Sequence, residues 1–316
     1  MGITEATIVE QFPYWRAAIA PAAPLPEVPI TVFIGCGTSY NLAVSLAVLA
    51  NDAGKPAIAV PGGEWLDHPA SYWPDWRKAH VVALSRSGET TETVAAAKAS
   101  RAAGISVTAI TCEKQSDLAR NCNRLIFAET HPAEGIVMTS SASLMLLLGL
   151  QLLGYPIDKA LIETAEILLE SFDAQVPTRL GGRSHFVFLG GGALYGIALE
   201  ASLKLQEMSQ IYTQAFHPLE YRHGPISLLD ERTVAVILYS EAQAAEAKLA
   251  GEMSDKGALV IGFGGPGDLS LPVPIAAPLA GLTALPALQL LGERAAQARN
   301  IDTVAPRHLT KVVTLA

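Results

Sequence analysis

Short runs of nearly uninterrupted apolar residues recur along this chain, separated by longer stretches whose apolar positions follow a helical spacing. The runs at 30–35, 57–60, 80–85, 106–111 and 124–127 read as strands. Strands that are apolar throughout, without alternation, belong to a parallel sheet covered by helices on both faces. Helical periodicity fills the intervals near 39–53, 90–103 and 114–121, and Ser140 to Leu153 reads as an apolar helix that closes this first block. An amphipathic helix over 158–175 connects it to a second block with strands at 185–190, 233–239 and 258–263. Ahead of the first strand, residues 4–20 read as one helix and Pro21 to Pro29 as a linker. Beyond Leu290 the pattern predicts a helix, then an irregular polar stretch from Asn300 to Lys311.

The second block repeats the first. Val32-Phe33-Ile34-Gly35-Cys36-Gly37-Thr38-Ser39-Tyr40 returns as Val187-Phe188-Leu189-Gly190-Gly191-Gly192-Ala193-Leu194-Tyr195. The same offset sets Val81-Val82-Ala83-Leu84-Ser85 against Val236-Ile237-Leu238-Tyr239-Ser240. Two strand-plus-loop passages sharing one offset predict two copies of one α/β domain. The expected boundaries are an N-terminal helix and linker over 1–27, a first domain over 28–156 and a connecting helix over 157–182. A second domain over 183–290 and a C-terminal helix and tail over 291–316 complete the division.

Composition narrows the partners. Half the residues are hydrophobic and only 16% charged, which suits well-covered sheets with further burial between subunits. The net charge of −8, with no basic run, argues against a nucleic-acid partner. A small phosphorylated substrate needs only a local positive potential and stays open. Cys36, Cys112 and Cys122 form neither a disulfide framework nor a metal knuckle, so a reducing cytoplasm is expected. The first residues carry Glu5, Glu10 and prolines rather than a basic region and an apolar core, which predicts no secretory leader. The longest apolar stretch, Ala142 to Leu153, is too short to span a bilayer, so no membrane partner is expected.

Three constellations carry chemistry. Gly35-Cys36-Gly37 lies between a strand and a helix, but position 40 is Tyr40 and the next strand ends Ala59-Val60-Pro61 without an acid. The dinucleotide fingerprint fails in both copies, and no cofactor is expected. Thr38, Ser39 and Asn41 add hydroxyl and amide groups to the first copy only, which assigns it the polar binding. Ser85-Arg86-Ser87-Gly88-Glu89-Thr90 follows a buried strand and opens a helix. Unpaired backbone N–H groups, the positive helix end and the hydroxyls of Ser85, Ser87 and Thr90 make a phosphate cradle there. An ordinary Thr90 or Thr91 cap would explain one hydroxyl, but not Ser85 and Ser87 together. In the second copy, Glu200, Lys204 and Glu207 lie at i, i+4 and i+7 on one face of a helix that is apolar elsewhere. Buried charges of that kind need partners or a function. His223, on the turn before Gly224-Pro225, becomes a general acid/base candidate beside them, whereas Lys311 alone reads as a surface lysine. No zinc-binding or serine-hydrolase signature appears, so neither a metal nor a serine nucleophile is expected.

Over nearly its whole length the chain resembles the sugar isomerase (SIS) superfamily, in particular the isomerase half of glutamine–fructose-6-phosphate aminotransferases. The resemblance rests on Gly35-Cys36-Gly37-Thr38-Ser39-Tyr40-Asn41, Ser85-x-Ser87-Gly88-Glu89-Thr90, the Ala198-Leu199-Glu200…Lys204…Glu207 helix, Glu220…His223-Gly224-Pro225, and Arg307…Leu309…Lys311. It implies two tandem SIS domains, each a flavodoxin-like three-layer α/β/α. It implies that Ser39, Ser85, Ser87 and Thr90 hold a sugar phosphate, with Thr38, Arg86, Val137 and Thr139 contributing to substrate binding. It further implies that His223 opens the sugar ring from a neighbouring subunit of a homodimer. Glu207 would move a proton between C1 and C2, Lys311 would form a Schiff base with the open-chain ketose, and Glu200 and Lys204 would orient these groups. Departures bear on the reaction. The family's glutamine between the two serines is Arg86, and the segment Glu134-Gly135-Ile136-Val137-Met138-Thr139-Ser140-Ser141 lacks the synthase lysine. No glutaminase domain is expected ahead of Met1-Gly2-Ile3-Thr4. Ser-Arg-Ser-Gly and Met-Thr-Ser-Ser are more similar to the stand-alone tagatose-/galactosamine-6-phosphate isomerase-deaminases. The expectation is therefore a phosphosugar isomerase acting on a 6-phosphorylated ketose or amino sugar, with deamination; an aminating isomerase like the glucosamine-6-phosphate synthases but lacking its own glutaminase, and a non-catalytic phosphosugar sensor, are the alternatives.

Overall fold

The computed structural model describes residues 1–20 and 24–314. The expected linker from Pro21 to Pro29 therefore lies partly outside the described residues, and so do the last two residues of the tail. The chain divides into two compact units, one built from Glu10–Asp158 with His308–Ala316, the other from Met1–Val9 with Lys159–Arg307. Where one helix was expected over 4–20 there are two, α1 (Ile3–Val9) and α2 (Phe12–Ala18). Pro13 falls in the first turn of α2, a position that needs no N–H, so it starts a second helix instead of continuing the first.

In the first unit the chain then runs β1 (Ile30–Gly35), α3 (Thr38–Asp52), β2 (Ala57–Pro61), α4 (Gly62–Asp67), α5 (Pro69–Tyr72), β3 (Ala79–Leu84) and α6 (Thr91–Ala102). It continues through β4 (Ser106–Thr111), α7 (Asp117–Arg120), β5 (Arg124–Phe127) and α8 (Ser140–Leu153). The helix expected over 114–121 is this single turn, which Ser116 caps by accepting from the Ala119 N–H. The five strands are all parallel and ordered β2-β1-β3-β4-β5. Alternate strand residues such as Val32, Ile34, Val81, Ala83, Val107 and Ala109 pack with Trp65, Val94, Ala97 and Leu118 on one face. Helices α3 and α8 cover the other, and every residue of α8 except Gln151 is buried. A Cβ on Gly149 would fall 2.5 Å from a Leu46 methyl, so glycine sets how closely α8 and α3 approach.

The other unit continues with α9 (Lys159–Gln175), β6 (His185–Gly190), α10 (Leu194–Ser209), β7 (Thr213–Phe216), β8 (Thr233–Leu238) and α11 (Gln243–Ser254). It ends with β9 (Leu259–Phe263), β10 (Leu269–Leu271) and α12 (Ala277–Gln297). Its parallel sheet reads β10-β9-β8-β6-β7, the same order as the first sheet when written from the other edge. The architecture is thus two parallel five-stranded sheets flanked by helices. The repeat, however, slips by one residue between its two passages. Gly35 and Gly190 correspond, but Ile34 pairs with Ala83 whereas Gly190 pairs with Leu238, so Leu84 corresponds to Leu238 and Ser85 to Tyr239 rather than Ser240. Both strands are buried along their whole length, and a strand without alternation does not reveal its register. Helix α12 begins well before Leu290 and carries Pro286 inside it. Pro286 is buried in a helix that packs on α9 and α10, and that tertiary packing outweighs the one hydrogen bond it removes. No helix among the described residues is long and apolar enough to cross a membrane.

Candidate functional site

In the first unit the order β2-β1-β3 places a topological switch point at the adjacent C-terminal ends of β1 and β3. The two polar motifs leave from those ends. After β1, the chain must turn so tightly that a Cβ on Gly35 would lie 2.6 Å from the Ser39 carbonyl carbon. Gly190 stands in the same relation to Leu194, at 2.3 Å from its oxygen. The first glycine of each motif therefore serves packing. Thr38 and Ser39 are buried in the first turn of α3.

After β3, Gly88 adopts a positive φ of 63°, and a Cβ there would meet Ser116 Oγ at 2.0 Å. Ser85 Oγ accepts from the Gly88 N–H at 3.1 Å and donates to Thr90 Oγ1 at 3.4 Å. Ser87 Oγ accepts from the Glu89 N–H at 3.2 Å. Thr90 occupies the N-cap position of α6, yet its side chain makes no cap hydrogen bond. Ser85 and Thr90 are thus brought together at a helix start, with Ser87 on the same loop.

A cavity of about 590 Å³ opens beside this loop, and Ser87, Arg86, Cys112, His131, Glu134 and Lys311 are among its walls. Lys311 is outwardly a surface lysine on a tail without regular structure, but its Nζ donates to the Glu134 carbonyl oxygen at 2.8 Å. Arg86 is 8% exposed. Its guanidinium donates to the carbonyls of Gly135 (3.0 Å), Ile136 (3.2 Å) and Lys311 (2.7 Å) and lies 4.0 Å from the Glu134 carboxylate. That carboxylate accepts from the N–H groups of Thr139 (2.5 Å) and Ser141 (3.0 Å), so it caps the buried start of α8. Thr139 and Val137, expected at the substrate, are both buried in this segment. Burial, followed by the nearby Glu134 charge, pushes the Cys112 thiol far up, so it stays protonated and offers no thiolate.

The second unit gathers Glu200, Lys204 and Glu207 on α10 as their spacing predicts. Glu200 and Lys204 are fully buried; Lys204 Nζ hydrogen-bonds Glu207 and lies 3.8 Å from Glu200. A lysine buried between two carboxylates has the compensation that a desolvated ammonium requires. His223 is exposed on the turn before Gly224, whose φ is 118°. The loop after β8, which corresponds to the cradle, is filled by its own chain. Glu246 on α11 accepts from Ser240 N (2.9 Å) and Ser240 Oγ (2.7 Å). A carboxylate sits there where the other unit presents hydroxyls.

Sequence reasoning singled out the cradle, the α10 charges and Lys311 but did not assign Glu134 a role. Its local signal was an acid six residues ahead of a long, largely apolar helix, whose buried first N–H groups require an acceptor. Among the described residues, no cluster of three or more His, Cys, Asp or Glu is placed to hold a metal ion.

Residues 30–154 and 180–268 match the SIS domain family. Glutamine–fructose-6-phosphate aminotransferases [isomerizing] from Pyrobaculum aerophilum and Gloeobacter violaceus are 29% and 31% identical over 89% of the chain. The chain spans about half (51%) of the length of these relatives. A glucosamine-6-phosphate deaminase from Thermotoga maritima superposes with a TM-score of 0.83 at 28% identity, covering 99% of this chain and 100% of that one. An Escherichia coli tagatose-6-phosphate ketose/aldose isomerase shares the fold, with a TM-score of 0.79 at 21% identity over 95% of this chain and 93% of that one.

Proposed function

This chain belongs to the SIS domain family, and on that basis we propose that it is a phosphosugar isomerase acting on a 6-phosphorylated ketose or amino sugar. Its reaction is deamination: amino-sugar 6-phosphate and water give ketose 6-phosphate and ammonia. The observation that carries this reading is the single cavity walled by both Ser87 of the cradle and Lys311. A phosphate anchor and a primary amine are the two groups that an open-chain ketose phosphate engages at its opposite ends. Ser39, Ser85, Ser87 and Thr90 hold the phosphate with hydroxyls and the positive start of α6. Once the proton shift has turned the open-chain amino sugar into its C2 iminium, Lys311 attacks that carbon and ammonia leaves; water then hydrolyses the lysine iminium, releasing the ketose phosphate and freeing the amine. Glu207 carries the proton between C1 and C2, Glu200 and Lys204 orient the reacting groups, and His223 of a second copy opens the ring. The enzyme works as a homodimer in the cytoplasm.

The similarity to a glucosamine-6-phosphate deaminase over the whole chain favours deamination. The aminotransferase relatives favour a second reading, in which ammonia from another source is added to fructose 6-phosphate. One assay separates them. The protein is incubated with glucosamine 6-phosphate, galactosamine 6-phosphate, or fructose 6-phosphate plus ammonium, and ammonia and sugar products are followed. Ammonia release supports the first reading and its uptake the second. Tight sugar-phosphate binding with no turnover in any mixture would reject both in favour of a sensor.

A further inference from the structure

Arg86 stands in the middle of the cradle sequence, where a phosphate ligand would be expected, yet its guanidinium is engaged by backbone carbonyls. One terminal nitrogen donates to the Gly135 and Ile136 carbonyls, and the other donates to the backbone carbonyl of Lys311 at 2.7 Å. The Glu134 carboxylate lies 4.0 Å away, both side chains being almost wholly buried. Glu134 is itself fixed by the first N–H groups of α8. Lys311 is consequently tied twice to one rigid segment. Its carbonyl is tied through Arg86, and its amine is tied directly to the Glu134 carbonyl at 2.8 Å. We infer that Arg86 is a positioning residue: it fastens the C-terminal tail beside the cavity and so aims the Lys311 amine. This rests on the reading of Lys311 as the reacting amine.

The chemistry of the side chain supports the assignment. A guanidinium presents five donors in a planar fork and can bridge two chain segments at once. Glutamine at this position is shorter, has one amide nitrogen and cannot reach both the 134–136 segment and the tail. Lysine keeps the charge but concentrates it at one point. Among the described residues, the tail's backbone also meets this unit where Val313 O accepts from the Thr91 N–H at 3.4 Å, a long bond. Arg86 is therefore the short tie that holds the tail's backbone, beside the tie made by the Lys311 amine itself.

The test compares Arg86→Gln and Arg86→Lys with the unaltered protein. Trypsin cleavage after Lys311, followed by mass spectrometry, should be at least tenfold faster in Arg86→Gln and intermediate in Arg86→Lys. Affinity for inorganic phosphate and for fructose 6-phosphate, by calorimetry, should stay within threefold, and kcat should fall at least thirtyfold with KM within threefold. Should the single variants not fold, Arg86→Gln/Glu134→Gln removes both charges of the buried pair together and carries the same expectations. Three results overturn the inference: tail cleavage unchanged in the variants, phosphate affinity lost as severely as in Ser87→Ala, or full kcat in Arg86→Gln while Lys311→Arg is inactive. If Lys311→Arg itself keeps full turnover, the amine reading fails instead, and the trypsin comparison alone decides whether Arg86 holds the tail.

Discussion

Ser87 and Ser240 show how one hydroxyl loop can be left open or closed by a single neighbouring acid. Ser240 is occupied by the Glu246 carboxylate, whereas Ser87 faces a cavity it shares with Lys311. Replacing Ser87 by Ala should weaken binding of a 6-phosphosugar by about 1–3 kcal/mol, the worth of a hydrogen bond to a charged group. Calorimetry checks this, and unchanged affinity in Ser85→Ala, Ser87→Ala and Thr90→Ala alike would remove the phosphate assignment. Lys311→Arg should bind the sugar phosphate normally and turn over nothing, because arginine keeps the charge but forms no imine. Borohydride with a ketose phosphate should trap an adduct on Lys311 of the unaltered protein; full activity in Lys311→Arg with no adduct would reject the Schiff base. The hydroxyls and the lysine were legible in the sequence because each belongs to a short motif. The partners of Arg86 were not, since a side chain's bond to a backbone carbonyl far along the chain leaves no mark on residue type.

The strands were the most legible elements, because burial on both faces makes them short and apolar throughout. Edge strands β7 and β10 escaped notice: Thr213-Gln214-Ala215-Phe216 is half polar and only partly buried, and Leu269–Leu271 is three residues long. The central strand β3 carries one polar exception with a measurable consequence. His80 is buried, with Nδ1 2.6 Å from Ser106 Oγ and Nε2 3.0 Å from Thr108 Oγ1 on neighbouring β4. Burial, followed by the Arg124 charge, lowers its pKa from the ordinary 6.5 to about 4. The unfolded chain therefore takes up a proton between those values while the folded chain does not. This contribution to stability is complete above pH 6.5 and is lost as pH falls toward 4, amounting to roughly 2–3 kcal/mol. Thermal melts from pH 7 to pH 4.5 should show that decline, and His80→Gln should flatten it; an identical slope in both proteins would dismiss His80 as the cause.

Neither compact unit is a continuous piece of chain. α1 packs on α12, with Glu5 paired to Arg294 at 2.8 Å, although α2 belongs to the other unit; the tail after Arg307 returns to Arg86. A protease site placed at the exposed Asp158–Lys159 junction should accordingly yield two fragments that stay together on size exclusion, each holding a segment that the other needs. Elution as two separate folded species would contradict the interleaving. If His223 acts on a neighbouring copy, mixing inactive His223→Ala and Glu207→Gln proteins should restore activity in hybrid dimers. No restoration, with subunit exchange confirmed, would confine the chemistry to one chain. The same interleaving has a meaning for biosynthesis. A ribosome releases residues 1–158 first, with Ile8 of α1 still lacking the α12 surface that buries it and the cradle still lacking its lysine. On the proposed function, the reacting amine arrives only after everything through Arg307 has emerged, so a chain ending before Lys311 should bind a sugar phosphate and leave it unchanged.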